Sequence, residues 1–351
     1  MKKVNRFSRI FLGATLSLAI LAGCANTATD ATSSAAGETS ATSSTATTSA
    51  SATATGQTVE ITDAHGTVSV PVNPERVISL DNRTFETLSD WKIPLVAAPK
   101  GVMPADSPYV ADAEVQDIGD HREPNLEIIA AADPELVIIG QRFSSYYDEI
   151  KTLVPNAAVI DLTFDVSGEN GSSSENFVNG FTKVTNDLGK IFSKTTEAEK
   201  LVDDFTASIE KAKVAYNGTD TIMTVVVSGG EIGFSAPSSG RVWGPLYGIF
   251  DWKPALEVDG ASADHKGDDI SVEAIAQSNP DWIFVLDRDA AVSSTEEAVP
   301  AQDVIDASPA LKNVTAITKG QVVYAPNDTY TNESIQTFIE LFNDIADAFS
   351  K

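Results

Sequence analysis

Apolar and polar positions divide the 351-residue chain into segments of distinct character. Behind a basic head of Lys2, Lys3, Arg6 and Arg9 runs a short apolar stretch from Ile10 to Ala22. Such a head and core predict an export signal over residues 1–23. The stretch falls short of the about 20 apolar residues that span a bilayer. Residues 24–57 are almost wholly Ala, Ser and Thr. They carry too little apolar surface to offset chain entropy and predict a flexible tether. From residue 58 onward β-type runs alternate with amphipathic stretches: Arg76 to Leu80, then Thr84 to Trp91, then Leu95 to Ala98. That alternation predicts an α/β fold.

The pattern repeats at an offset of 146 residues. Leu126 to Arg142 (LEIIAAADPELVIIGQR) aligns without a gap on Val272 to Arg288 (VEAIAQSNPDWIFVLDR). Glu127 falls on Glu273, Pro134 on Pro280 and Arg142 on Arg288, and Glu135 and Asp281 match as acids. In each copy the Glu sits in the first turn of a short helix, where the helix dipole favours an anion. Asp133-Pro134 and Asn279-Pro280 end that helix. A continuous apolar run (Leu136 to Ile139, Trp282 to Leu286) then predicts a strand buried on both faces. The Arg follows its carboxyl end, where open parallel sheets bind ligands. Two similar lobes would thus each turn one Arg toward a cleft. Between the copies, Ala198, Leu201, Val202, Phe205, Ile209 and Ala212 recur at helical spacing. They predict a strut over 195–216, about 30 Å long, with Thr196 and Glu199 as a capping box. A second helical stretch, Glu175 to Phe192, precedes it.

Charge narrows the function. The chain carries a net charge of −26, which becomes −30 without the four signal cations, and this excludes nucleic acid as a natural partner. Arginines gathered in a pocket stand out against that background. Cys24 is the sole cysteine, so the exported part folds without disulfides. No nucleophile–base pair or serine elbow appears, and Ser228-Gly229-Gly230 is too short for a phosphate loop, so the chain is expected not to be an enzyme. Three scattered histidines predict no zinc site. His65 is expected in a hairpin turn and His121 in a loop, and Trp91, Trp252 and Trp282 in the core.

Leu21-Ala22-Gly23-Cys24 resembles the lipobox of bacterial lipoproteins, which implies diacylation of Cys24 and an extracytoplasmic protein held at the membrane by lipid. With it, the opening Ile61 to Asp81 (ITDAHGTVSVPVNPERVISLD), the two Glu-to-Arg units and the linking helix resemble siderophore-type substrate-binding proteins of bacterial ABC importers. GQRFSSYYDEI (Gly140 to Ile150), SAPSSGRVWG (Ser235 to Gly244), ADHKGDDISVE (Ala263 to Glu273), FVLDR (Phe284 to Arg288) and VVYAPNDTY (Val322 to Tyr330) are similar to the catecholate branch.

That resemblance implies the class III periplasmic-binding-protein fold: two Rossmann-like lobes, here 58–194 and 217–351, bridged by a single long helix over 195–216. It implies that Arg142, Arg241 and Arg288 line the ligand cleft, that His265 and Tyr330 ligate the siderophore's iron, and that Glu127 and Glu273 dock on the permease. Tyr146, or its neighbour Tyr147, and Trp243 are expected to line the cleft; adjacent tyrosines in a helix usually split between core and surface. The loops carrying Arg241 and His265 each run one residue longer than the family pattern, and Tyr330 is followed by Thr331-Asn332-Glu333 where small residues are usual. The implied function is capture of a ferric catecholate siderophore and its delivery for iron uptake by a monomer with no permanently bound cofactor. A ferric tris-catecholate carries three negative charges, which three guanidinium groups would balance. A hydroxamate siderophore, haem or a corrinoid is the alternative ligand, and a surface sensor or adhesion lipoprotein the alternative class.

Overall fold

The computed structural model describes residues 56–168, 170–262, 264–292 and 298–351. The export signal, Cys24 and all but the last two residues of the tether lie outside the described residues. Among the described residues no helix is long and apolar enough to cross a membrane.

A hairpin, β1 (Thr58–Asp63) and β2 (Gly66–Pro71), precedes two five-stranded sheets. The first sheet holds β3 (Val77–Leu80), β4 (Ala97–Ala98), β5 (Gln116–Asp117), β6 (Leu136–Ile139) and β7 (Ala158–Asp161) in the order β5-β4-β3-β6-β7, with every pairing parallel. The second holds β8 (Thr221–Ser228), β9 (Glu231–Phe234), β10 (Lys253–Pro254), β11 (Trp282–Asp287) and β12 (Val322–Tyr324). Its parallel path is β10-β8-β11-β12, and β9 pairs antiparallel with the end of β8. β3, β6 and β11 are buried at every position, as continuous apolar runs require when helices cover both faces of a sheet.

The 146-residue repeat is a structural one. Leu136 of β6 pairs with Val77 of β3, and Trp282 of β11 pairs with Ile222 of β8. The helices ahead of β6 and β11, Leu126–Ala131 and Val272–Ser278, are capped by Asn125 and Ser271. Asp133 and Asn279, each left-handed at φ 45°, stop the chain ahead of the prolines. The matched acids share a task as well. The Glu135 carboxylate accepts from the backbone N–H of Glu75 (2.6 Å) and Arg76 (3.2 Å). That of Asp281 accepts from the backbone N–H (3.0 Å) and hydroxyl (3.1 Å) of Thr221. Each acid thereby seals the start of the neighbouring strand.

The helix Thr195–Ala215 carries the chain from the first half to the second. It does not act alone. Ser173–Ile191 is joined to it by a three-residue turn and so lies antiparallel along it. The apolar face of Ser173–Ile191 is divided: Phe177 and Phe181 enter the second lobe's core, whereas Val184, Leu188 and Ile191 enter the first lobe's. The last helix, Ile335–Phe349, completes this layer through Phe338 and Phe342. It also reaches the first lobe, where Thr87 and Gln336 share a 3.0 Å hydrogen bond and Gln336 donates to Asp90 at 3.1 Å.

The expected Thr196–Glu199 capping box is not formed. The helix begins at Thr195 with Lys194 at the cap and no side-chain cap bond, so Thr196 already lies inside the first turn. Lys194 pairs instead with Glu197 at 3.0 Å.

Gly140 directly follows β6 and passes against the buried Asp81; a Cβ there would lie 2.1 Å from the Asp81 carboxylate. Gly140→Ala should therefore lower stability by about 1–3 kcal/mol, the usual cost of overpacking. Urea unfolding should show a lower midpoint with an unchanged slope.

Candidate functional site

The carboxyl ends of the central strands bring the arginines together. Arg142 lies in the short 3-10 segment Gln141–Tyr146 that leaves β6. Arg288 opens the helix Arg288–Val292 that leaves β11. Arg241 comes from a tight loop in which Gly240 N–H donates to the Ala236 carbonyl (2.9 Å) and Gly244 N–H to the Gly240 carbonyl (2.7 Å). Gly240 has no room for a side chain, since a Cβ would meet Ser235 Oγ at 2.3 Å. Val242 sits at φ 64°, a costly conformation for a β-branched residue, and it shapes the turn that presents Arg241.

All three guanidinium groups face the ring of Tyr330, with centroid distances of 4.4 Å for Arg241, 5.2 Å for Arg288 and 5.9 Å for Arg142. Arg142 and Arg241 each donate through Nη2 to the Tyr330 carbonyl at 3.3 Å. Arg288 donates through Nη1 to Ser228 Oγ at 3.2 Å. Like charges this close repel, and a carboxylate counters them. Glu333, left-handed at the end of Tyr330's helix Thr329–Asn332, is ion-paired to Arg241, and Arg83 Nε lies 3.7 Å from its other oxygen. Burial pushes Glu333 up, but Arg241, Arg83 and Arg142 outweigh it and hold the carboxyl below its ordinary range. Burial lowers Arg83 and Arg142, and the neighbouring Arg241 lowers both further.

Arg142, Arg241, Arg288, Tyr330 and His265 line one cavity of about 970 Å³ between the lobes, together with Lys100, His121 and Arg122 of the first lobe. His265 is half exposed, with Nδ1 3.8 Å from Asp264. Tyr330 is buried at 5% exposure, its ring forming the wall on which the arginines converge. Glu127 and Glu273 are both exposed and hold the second position of their equivalent helices. Among the described residues no cluster of three or more His, Cys, Asp or Glu side chains is placed to hold a metal.

Two expected cleft residues lie elsewhere. Trp243 is fully buried and packs on Phe284 of β11 with ring centroids 5.8 Å apart. The left-handed Val242 turns the chain so that the indole enters the core while Arg241 faces the cavity. Tyr146 is half-buried behind the wall: its ring meets Phe143 at 6.3 Å and its hydroxyl donates to the Arg122 carbonyl at 3.3 Å. Tyr147 is buried and stacks on His65 at 3.6 Å; the adjacent tyrosines pack against the same apolar cluster rather than splitting between core and surface. His65 lies in the hairpin turn, and its ring also meets Asp161 at 3.3 Å.

Other residues at the site gave little sign in the sequence. Arg83 follows β3 at its carboxyl end, the same position rule that singled out Arg142 and Arg288. Glu333 gave none, because its partners lie 92 and 250 positions away. His121 is half-buried at the cavity wall with Nδ1 unpartnered among the described residues, and burial, then Arg142, lowers its pKa.

The chain matches the family model described as "Periplasmic binding protein" over residues 77–329. It is 27% identical to the petrobactin-binding protein YclQ of Bacillus subtilis over 301 residues, covering 82% of this chain and 86% of that one. It is 28% identical to the ferric-anguibactin-binding protein FatB of Vibrio anguillarum over 283 residues, covering 80% and 84%. Among solved structures, the siderophore-binding protein BauB, bound to two molecules of acinetobactin and ferric iron, superposes with a TM-score of 0.72 at 25% identity, covering 84% and 99%.

Burial raises the Asp81 carboxyl to about 7 against the opposing pull of Arg83. A carboxyl raised on folding gives stability that is complete below its unfolded pKa and lost as pH climbs through the folded one. Between about pH 4 and pH 7 the protein should thus lose stability from this group. Asp81→Asn should flatten that slope and gain on the order of a few kcal/mol over the parent at pH 8, measured by urea unfolding at both ends of the range.

Proposed function

This chain belongs to the periplasmic binding protein family, and from that premise we propose that it captures a ferric siderophore outside the cytoplasm and hands it to an ABC permease for iron uptake. The observation that carries the reading is the convergence of Arg142, Arg241 and Arg288 on Tyr330 at the wall of one interlobe cavity. Guanidinium groups stay protonated, donate in a plane to catecholate oxygens and stack on catechol rings. Their shared charge would also repel a bare metal cation, so the iron enters inside its chelator. YclQ and FatB, by their names, bind petrobactin and ferric anguibactin, and BauB holds iron with two small chelator molecules. A cleft for such ligands suits a siderophore that leaves coordination sites open. Tyr330 and His265 are the oxygen and nitrogen donors proposed to fill them, a fitting set for a hard ferric ion.

Delivery rests on Glu127 and Glu273, one exposed carboxylate per lobe at equivalent positions, which together would meet basic sites on a permease. Lipid on Cys24 would keep the loaded protein beside that permease.

Titration of the full chain with ferric catecholates, ferric hydroxamates and haem, followed by tryptophan quenching, tests the ligand class. Submicromolar binding of catecholates alone is expected, and a preference for haem would refute the assignment. Arg288→Ala should weaken catecholate binding by about 2–5 kcal/mol, because it leaves ligand charge buried and unpaired. Glu127→Ala combined with Glu273→Ala should leave that affinity intact yet abolish uptake of radiolabelled iron by cells; unimpaired uptake would remove the two acids from docking.

A further inference from the structure

We propose that Glu333 is a specificity-determining residue: by neutralising Arg241 from behind, it fits the cleft to ferric complexes carrying fewer than three negative charges. This rests on the ferric-siderophore reading above and refines its ligand. Glu333 does not line the 970 Å³ cavity; with Arg83 and Arg241 it lines a separate hollow of about 290 Å³. Arg241 borders both spaces. The carboxylate therefore acts on a bound ligand through the guanidinium it holds.

The arginines are not equivalent in charge. Arg241 spends its charge on Glu333, and Arg288 has Asp289 at 3.7 Å. Arg142 has no carboxylate within 4.0 Å among the described residues. Three aspartates line the same cavity as its five lysine and arginine side chains. A tris-catecholate of ferric iron, with three negative charges, would meet too little uncompensated positive charge here. A bis-catecholate complex carries one negative charge and leaves two coordination sites open, which suits both this balance and the presence of Tyr330 and His265 on the wall.

Glu333 is fixed rather than adaptable. Its backbone is left-handed (φ 45°, ψ 30°), its N–H donates to the Thr329 carbonyl at 3.2 Å, and its side chain is only 10% exposed. Arg83 of the other lobe holds the second oxygen, so the carboxylate is bound from both lobes.

The test measures dissociation constants of the full chain and its variants for two probes: the ferric complex of a hexadentate tris-catecholate and that of a tetradentate bis-catecholate. The parent chain should prefer the bis-catecholate complex. Glu333→Gln should shift the ratio of the two constants at least about tenfold toward the tris-catecholate, as expected when one nearby charge is unmasked against ligands differing by two charges. Glu333→Gly should shift it in the same direction, and glycine suits the left-handed backbone if the glutamine variant folds poorly. Arg241→Gln combined with Glu333→Gln removes both charges, so absolute affinities fall but the ratio returns to within about threefold of the parent value. A ratio unmoved in both single variants, while both probes still bind, overturns the role of Glu333 and leaves the siderophore reading standing. Failure of the parent chain to bind either probe overturns both.

Discussion

Gathering several guanidinium groups around one aromatic ring is unfavourable by itself, and the rest of the site is arranged around that repulsion. Each charge loses water on burial, and each neighbour of like sign adds to the cost. The Tyr330 ring offers its negative face, its carbonyl accepts from two arginines, and Glu333 supplies a full opposite charge. Removing any one of these would leave buried charge uncompensated. The same arrangement makes the wall receptive to an anion, because only an incoming negative charge relieves the remaining repulsion. Under the proposed function, an anionic ligand would complete that balance.

This arrangement needs rigid supports on both sides of the cleft. Arg142 leaves β6 and Arg288 leaves β11, strands buried at every position, so neither arginine's backbone can drift far. The lobes that own them are joined by the layer formed by Ser173–Ile191, Thr195–Ala215 and Ile335–Phe349. Because Ser173–Ile191 shares its apolar face between two cores, the angle between lobes is tied to side-chain packing rather than to a free hinge. Phe164 adds to this by packing against both cores, and Gly180 admits it, since a Cβ there would lie 2.3 Å from the phenyl ring. Arg83 lies over that ring at 4.1 Å and reaches across to Glu333, so packing between lobes and charge balance in the cleft meet at one residue.

Much of the frame was legible from sequence because it is written in local patterns. Buried strands read as apolar runs, helix stops read as Asp-Pro and Asn-Pro, and the repeat exposed two arginines at equivalent strand ends. The acids Glu135 and Asp281 were visible as a match, though their task of sealing strand starts emerged only from the backbone they touch. What failed was whatever depends on a single backbone angle or on a distant partner. Trp243 looked like a cleft aromatic beside Arg241, yet the left-handed Val242 between them sends the two side chains to opposite places. Tyr146 misses the cavity because its hydroxyl is held by the Arg122 carbonyl, a partner 24 positions away that spacing along the chain cannot reveal. The Thr196–Glu199 box fails because the helix is capped at Lys194, two residues ahead of Thr196. Glu333 was unreadable for a deeper reason: an acid between Asn and Ser says nothing of arginines folded in from other elements.

The overall charge sharpens what the cleft must do. A chain of net charge −26 repels an anionic complex at long range, and salt limits that field to about 8 Å under physiological conditions. Attraction can therefore dominate only close to the arginines, where neighbouring low-dielectric walls strengthen it. Capture of this kind gains little from steering and depends on how well the ligand is held once inside. Retention in turn depends on matching charge for charge, since excess negative charge on the ligand would be as costly as unpaired arginine without it. A carboxylate buried behind the wall, rather than a missing arginine, lets the protein keep three planar donors for orientation while presenting less than their full charge.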